Sequence, residues 1–339
     1  ARAARCVSVC AHAKTQNQKT QNPTRLDVTD VHFRQLARLI TRRTWLWTEM
    51  VVDKTLVYAP LQRRRHLAFP AEQRPIVLQL GGSDPSLLRQ AAKIAAPYGY
   101  DEVNLNCGCP SDRVAGAGCF GSARMLDARR GGASTGPVAK GLAEGLDEAR
   151  AAQAAAAAAE TAHGGGGASG DTPSATAAAA AEAAPEAPLP LAPPPVSVKC
   201  RLGVDDADTY EALREFVRVV SAPVGGGSKS GGANGGGGGG DSAGGGGGGG
   251  GGVTHFVIHA RKCLLSGLSP AQNRSVPPLR HEWLWALKRD FPHLRFTLNG
   301  GVASARHAAA ALAAREHGLG RRVPHGVMVG RAAAADPWG

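Results

Sequence analysis

Asn104-Leu105-Asn106-Cys107-Gly108-Cys109-Pro110-Ser111-Asp112-Arg113 joins an alternating apolar run, Val103 and Leu105, to a turn of small residues carrying an amide and thiols. A buried strand that ends at a working site has this form. The pattern recurs at Pro75–Leu80 before Gly81-Gly82, and at Val196–Gly203, His255–Ala260, Arg295–Gly301 and Gly326–Arg331. With Trp45–Met50, this gives strands starting near Trp45, Ile76, Glu102, Val196, His255, Arg295 and Val327. Helix-like segments lie between them: Asp30–Thr41, Asp84–Ala96, Asp208–Val220, Leu279–Asp290 and Ala303–Glu316. Asp84 before Pro85 is an N-cap signal. Short Val/Ile/Leu-rich strands alternating with helices predict parallel βαβ units in an α/β protein.

Seven strands are one short of a closed eightfold barrel. The first would lie just before Leu26, yet Ala13–Arg25 is polar and has no strand pattern. A barrel lacking that strand would leave two unpaired edges. A doubly wound open sheet tolerates seven strands, but no Gly-x-Gly-x-x-Gly turn follows a first strand.

The 339 residues carry a formal net charge of +12, with Arg2, Arg5, Lys14, Lys19 and Arg25 and no carboxylate in the first 26 residues. Residues 1–25 read as a basic unstructured leader, compatible with organelle targeting, and the balance suits either a polyanionic partner or a plain basic surface. Residues 161–195, rich in Ala, Pro and Gly, and 221–252, almost all Gly and Ser, read as disordered insertions, because they offer few large apolar side chains to offset ordering. The rest, 26–338, suits one domain. Seven scattered cysteines argue against a disulfide framework and for a reducing compartment, cytoplasm or organelle. Cys107, Cys109 and Cys119 fit no usual zinc spacing, so no metal is expected. No run reaches the ~20 apolar residues that span a bilayer. No obligate protein partner is inferred.

In a (β/α)8 TIM barrel the site forms at the C-terminal strand ends, with phosphate held after the last two strands. Asn299-Gly300-Gly301 and Gly330-Arg331 occupy those places. Glycine lets backbone N–H groups close on phosphate, and arginine adds charge-assisted bonds. Gln79, Asn106, Lys199, Arg201 and His259 stand at the other strand ends. Singly, each could be a hydrogen-bonded core residue; together they point to a ligand.

The stretches LDVTD (26–30), TEMV (48–51), LQLGGSDP (78–85), GYDEVNLNCGCPSDRVAGAGCFG (99–121), VKCRLGVDD (198–206), HARKCLLSGLSPAQNRSVPPL (259–279), LKRDFPHLRFTLNGGV (287–302) and GVMVGRAA (326–333) resemble the flavin-dependent tRNA-dihydrouridine synthases. The CGCPSDR and HARK…LSGLSPAQNR blocks resemble the A-type subfamily most, which acts on D-loop uridines near position 20/20a. The resemblance implies a TIM barrel carrying FMN, with NADPH as reductant and tRNA as substrate. It implies that Gln79 bonds the pyrimidine edge of the flavin and that Lys199 and His259 lie near N1 and O2, where a cation stabilises reduced flavin. Asn299, Gly300, Gly301, Gly330 and Arg331 would hold the phosphate. Cys109 would be the proton donor and Asn106 would orient the base. A free thiol, with a pKa near ~8.5, is mostly protonated at neutral pH and can serve as a general acid. Alternation does not choose between Cys107 and Cys109; only the resemblance does. Arg113, Arg201, Lys262 and Arg274 would surround the tRNA, which must give up a stacked base.

Pro23-Thr24-Arg25 stands where the family has Ala-Pro-Met at the end of strand one, which makes the first strand doubtful. The family's C-terminal helical domain is expected to be missing, since the chain stops at Gly339. Two other readings stay open: another FMN barrel oxidoreductase acting on a free pyrimidine or enone, and a non-catalytic tRNA-binding remnant.

Overall fold

Asp84 accepts from the backbone N–H groups of Ser86 and Leu87 at 2.7 and 3.3 Å, and Pro85 opens the helix that follows, as that pair predicts. The same side-chain capping starts the helix after Asp30, through the Phe33 N–H at 2.8 Å. These features belong to a computed structural model that describes residues 6–9, 29–111, 120–125, 135–163, 193–222, 252–314 and 324–336.

Eight parallel strands close a barrel in chain order: β1 Cys6–Val9, β2 Trp45–Val52, β3 Ile76–Gly81, β4 Glu102–Cys107, β5 Val196–Arg201, β6 His255–His259, β7 Arg295–Asn299 and β8 Gly326–Val329. Strands β2 to β8 are the seven read from sequence. The expectation that the first strand is doubtful is corrected by β1, which falls at Cys6–Val9 inside the predicted leader; the rest of 1–25 lies outside the described residues. Strand β1 pairs with β8 from Cys6↔Gly326 to Val9↔Val329 and with β2 at Ser8↔Trp45 and Val9↔Leu46. The physical reason is edge satisfaction: without this strand β2 and β8 would each expose an unpaired ladder.

Among the described residues the helices are α1 Val31–Ile40, α2 Asp53–Tyr58, α3 Arg63–Leu67, α4 Pro85–Ala95, α5 Thr135–His163, α6 Tyr210–Ser221, α7 Glu282–Asp290, α8 Ala305–Ala313 and α9 Arg331–Ala335. The 29-residue α5 was not expected; its Ala-rich sequence has little apolar periodicity to announce it. The first predicted insertion lies outside the described residues except at its edges, since α5 runs to His163 and β5 begins at Val196. The second lies outside them from 223 to 251, after α6 ends at Ser221.

Alternation divides the strands into two faces. Leu78, Leu80, Val103, Leu105, Val198, Phe256, Ile258, Phe296 and Leu298 pack outward with helix residues such as Leu88, Leu142 and Phe216. Trp47, Val77, Val257 and Met328 form a small separate apolar cluster. Polar groups share the buried strand positions: Gln79, Glu102, Asn104, Asn106, Ser197, His255, Thr297 and Asn299 are all below a tenth exposed. No helix among the described residues is long and apolar enough to cross a membrane.

His325 precedes β8, its ring 6.2 Å from that of His255. Burial, with His255 and Arg295 nearby, pulls it down to about 4. An unfolded histidine titrates near ~6.5, so the unfolded chain binds this proton first as pH falls. The stability it contributes is therefore complete above ~6.5 and lost progressively toward pH 4. The thermal midpoint is expected to fall across that range, and less so in His325→Gln. An identical pH slope in the variant would exclude this histidine as a source.

Candidate active site

The register sets polar side chains on two successive levels at the C-terminal rim, Lys199 two residues before Arg201 on β5. Asn106 pairs with Lys199, Arg201 with His259, and His259 with Asn299, which pairs in turn with Met328. Above them lies a cavity of about 440 Å³, of a size that accepts a small-molecule ligand or cofactor. Asn106, Gly108 and Cys109 form one wall and Lys199, Arg201 and His259 the next. Arg274, Asn299, Gly300, Gly301, Gly330 and Arg331 complete it. Of the fourteen predicted site residues, eleven meet at this cavity.

Asn106 Oδ1 accepts the N–H groups of both Gly108 and Cys109 at 3.1 Å, which fixes the turn bearing the thiol. Ser122, not foreseen from sequence, clamps the same turn: its N–H and hydroxyl both donate to the Cys109 carbonyl at 3.0 Å. Cys109 is partly exposed at the cavity, whereas Cys107 is fully buried in the outer core and burial pushes its thiol up to about 12. A proton held that tightly is poorly suited to acid catalysis near neutral pH.

Arg201, expected at the strand-end rim and around the tRNA, is 3% exposed and faces the cavity. It donates to the carbonyls of Gly108 at 3.2 Å and Asn273 at 2.8 Å, joining the loops after β4 and β6. The cause is parity, since it shares a strand face with Lys199. Burial lowers it to about 10, so it stays charged at neutral pH. Burial, then Arg201 and Lys199, hold His259 well below its ordinary value, so its ring is neutral. Among the strand-end residues that line the cavity, the cations are Lys199 and Arg201.

Gln79, expected on the flavin edge, is fully buried and does not line the cavity. It pairs in register with Asn104, one tier down, and accepts from Asn106 Nδ2 at 3.0 Å. Lys262 also stands off the cavity, 3.2 Å from the Asp208 carboxylate. Arg113 lies outside the described residues. Sequence reading missed Asn273, a buried amide in the Gln-Asn-Arg run that ties its loop to Leu264 N–H and C=O, both at 2.8 Å. Its one signal was an amide next to Arg274 in a block the resemblance had already singled out.

On the far wall, Gly300 and Gly301 adopt φ of +96° and +76°, a region costly for any side chain. A Cβ on Gly301 would also come within 2.5 Å of Leu279. Arg331 donates to the Arg274 carbonyl at 3.0 Å, and Arg274 Nε is buried without a hydrogen-bond partner. Among the described residues no carboxylate pairs with Arg201, Arg261, Arg274 or Arg331. Uncompensated guanidinium groups beside a left-handed glycine turn form a site for an anion such as phosphate.

Fold and site together define an α/β barrel protein with a cationic ligand cavity at the C-terminal strand ends. Residues 23–130 and 249–339 match the family described as Dihydrouridine synthase (Dus). The chain is 36% identical over 312 residues to the tRNA-dihydrouridine(20/20a) synthase of Escherichia coli strain K12, covering 92% of this chain and 64% of that protein. It is 37% identical over 314 residues to that of Xanthomonas campestris pv. campestris, covering 92% and 67%. For the Vibrio vulnificus protein the identity is 34% over 315 residues, covering 92% and 68%. This chain belongs to the dihydrouridine synthase family. It spans about two thirds of the length of these relatives.

Proposed function

We propose that this chain is an FMN-dependent oxidoreductase that reduces the C5–C6 bond of D-loop uridines in tRNA, about position 20/20a, with NADPH as reductant. One observation carries the reading: in a member of this family, Cys109 shares one cavity with Lys199, His259 and the Asn299-Gly300-Gly301 turn. The residues fit FMN. The glycine turn suits a phosphate, with Asn299, Gly330 and Arg331 beside it. Lys199 suits a pyrimidine edge that carries negative charge, and neutral His259 adds a hydrogen-bonding nitrogen.

FMN, when bound and reduced by NADPH, supplies the electron pair and one hydrogen that add at C6. Cys109 gives its proton to C5, and its thiolate is reprotonated from solvent. Arg201 and Arg274 line the same cavity as Cys109. Asn106 holds the acid turn and faces the base. The net charge of +12 favours a polyanionic substrate, with Arg113, Arg274 and Lys262 as the side chains we assign to its phosphates.

Purified protein is expected to show flavin absorbance and to form dihydrouridine in unmodified tRNA only with NADPH. Arg331→Ala removes a charge-assisted contact of roughly 1.5–3 kcal/mol and is expected to weaken FMN retention at least about tenfold. Reduction of free uracil with none of tRNA would overturn the substrate assignment, and unchanged flavin occupancy in the variant would overturn the phosphate assignment.

A further inference from the structure

We infer that Ser197 and Asn104 are positioning residues: they belong to a one-way chain of hydrogen bonds from Glu102 to Asn106 that orients the turn carrying Cys109. The inference rests on the reading of Cys109 as the acid. The links are continuous. Ser197 Oγ donates to Glu102 Oε1 at 2.5 Å, and Asn104 Nδ2 donates to Ser197 Oγ at 2.8 Å. Gln79 Nε2 donates to Asn104 Oδ1 at 3.1 Å, and Asn106 Nδ2 donates to Gln79 Oε1 at 3.0 Å. Asn106 Oδ1 then receives the two N–H groups of the turn. Every member is at most 3% exposed, so water cannot substitute for a lost link.

The direction of the chain has a chemical origin. An ionised carboxylate only accepts, so the Ser197 hydroxyl must donate to it and has a lone pair left for Asn104. Each amide beyond can then face one way only, because a flip would set N–H against N–H or C=O against C=O. An asparagine amide has nearly the same shape either way round, so hydrogen bonds rather than packing choose the face Asn106 presents: the two turn N–H groups at its oxygen and Gln79 Oε1, the end of the chain, at its nitrogen. Reversed, Asn106 would leave the N–H groups of Gly108 and Cys109 without their acceptor.

Glu102 is fitted to anchor the chain. His255 Nδ1 lies 3.1 and 3.2 Å from its two oxygens, and His255 Nε2 is 2.9 Å from Thr297 Oγ1. Burial alone would push the Glu102 carboxyl up, but His255 and the Ser197 hydroxyl outweigh it and hold it below its ordinary value. From Glu102 to Asn106 the strand rises about 13 Å, so the groups that set the polarity lie far below the cavity.

The test compares Ser197→Ala and Ser197→Thr in the full chain, by amide hydrogen exchange and by steady-state kinetics on tRNA. In Ser197→Ala the Gly108 and Cys109 amides are expected to exchange about tenfold faster, matching the loss of roughly one buried hydrogen bond, while Ile258 and Leu298 amides keep their protection. The kcat should fall by a similar factor with KM for tRNA and FMN content unchanged, and Ser197→Thr should restore both readouts. Glu102→Gln, which can donate to Ser197 and so release the direction of the chain, should speed the same two amides and serves if Ser197→Ala does not fold. Wild-type exchange at Gly108 and Cys109 in a folded variant would overturn the inference. Faster exchange with unaltered kcat would support the chain of bonds and sink the acid reading of Cys109, so the two failures are distinct.

Discussion

Cys109→Ala is expected to form dihydrouridine about 10²- to 10⁴-fold more slowly than the wild-type chain, the range over which a positioned general acid acts. The variant should keep its fold, because the Cys109 backbone N–H and C=O make the contacts to Asn106 and Ser122 and the side chain makes none of them. It should also retain FMN and still oxidise NADPH, since the phosphate turn and Lys199 are untouched. Mass spectrometry of digested tRNA alongside NADPH consumption separates the two half-reactions. A normal product yield would remove Cys109 from the acid role. Cys107 offers no substitute, being buried with a strongly raised pKa.

Arg201→Met is expected to destabilise the fold and to empty the cavity of flavin. The methionine fills similar space but leaves the carbonyls of Gly108 and Asn273 unpaired, each costing about 1–3 kcal/mol where water cannot reach. Removing a buried cation that has no carboxylate partner acts in the opposite direction. Arg201→Lys separates the two terms, because it keeps the charge but cannot span both carbonyls with one compact ammonium. A lower thermal midpoint and lower flavin content in Met, with Lys recovering only part, is the expected order. A midpoint and flavin content equal to wild type in Met would show that the two loops are held by other contacts.

What could be read in advance follows from strand length and parity. The strands β2 to β8 were legible because most carry several apolar residues that pack under helices. Cys6–Val9 was not: it stands in a basic stretch read as a leader, and what makes it a strand is pairing with β8, at the opposite end of the sequence. Parity also indicates which side chains point inward, which is why Lys199, His259 and Asn299 were found. It says nothing of height, which register alone sets. Gln79 therefore seemed to belong to the rim tier but sits beside Asn104, beneath it. Arg201 was read both as a rim residue and as a tRNA contact, and the structure sets it at the cavity with Lys199.

Both compositionally biased tracts are attached between a helix and the strand that follows it, α5 to β5 and α6 to β6. The starts of β5 and β6, where the chain rejoins the barrel, lie on the face opposite the strand ends that carry the chemistry. Evolution could lengthen or shorten these tethers with little consequence for turnover, much as ballast hung below a vessel leaves its deck clear.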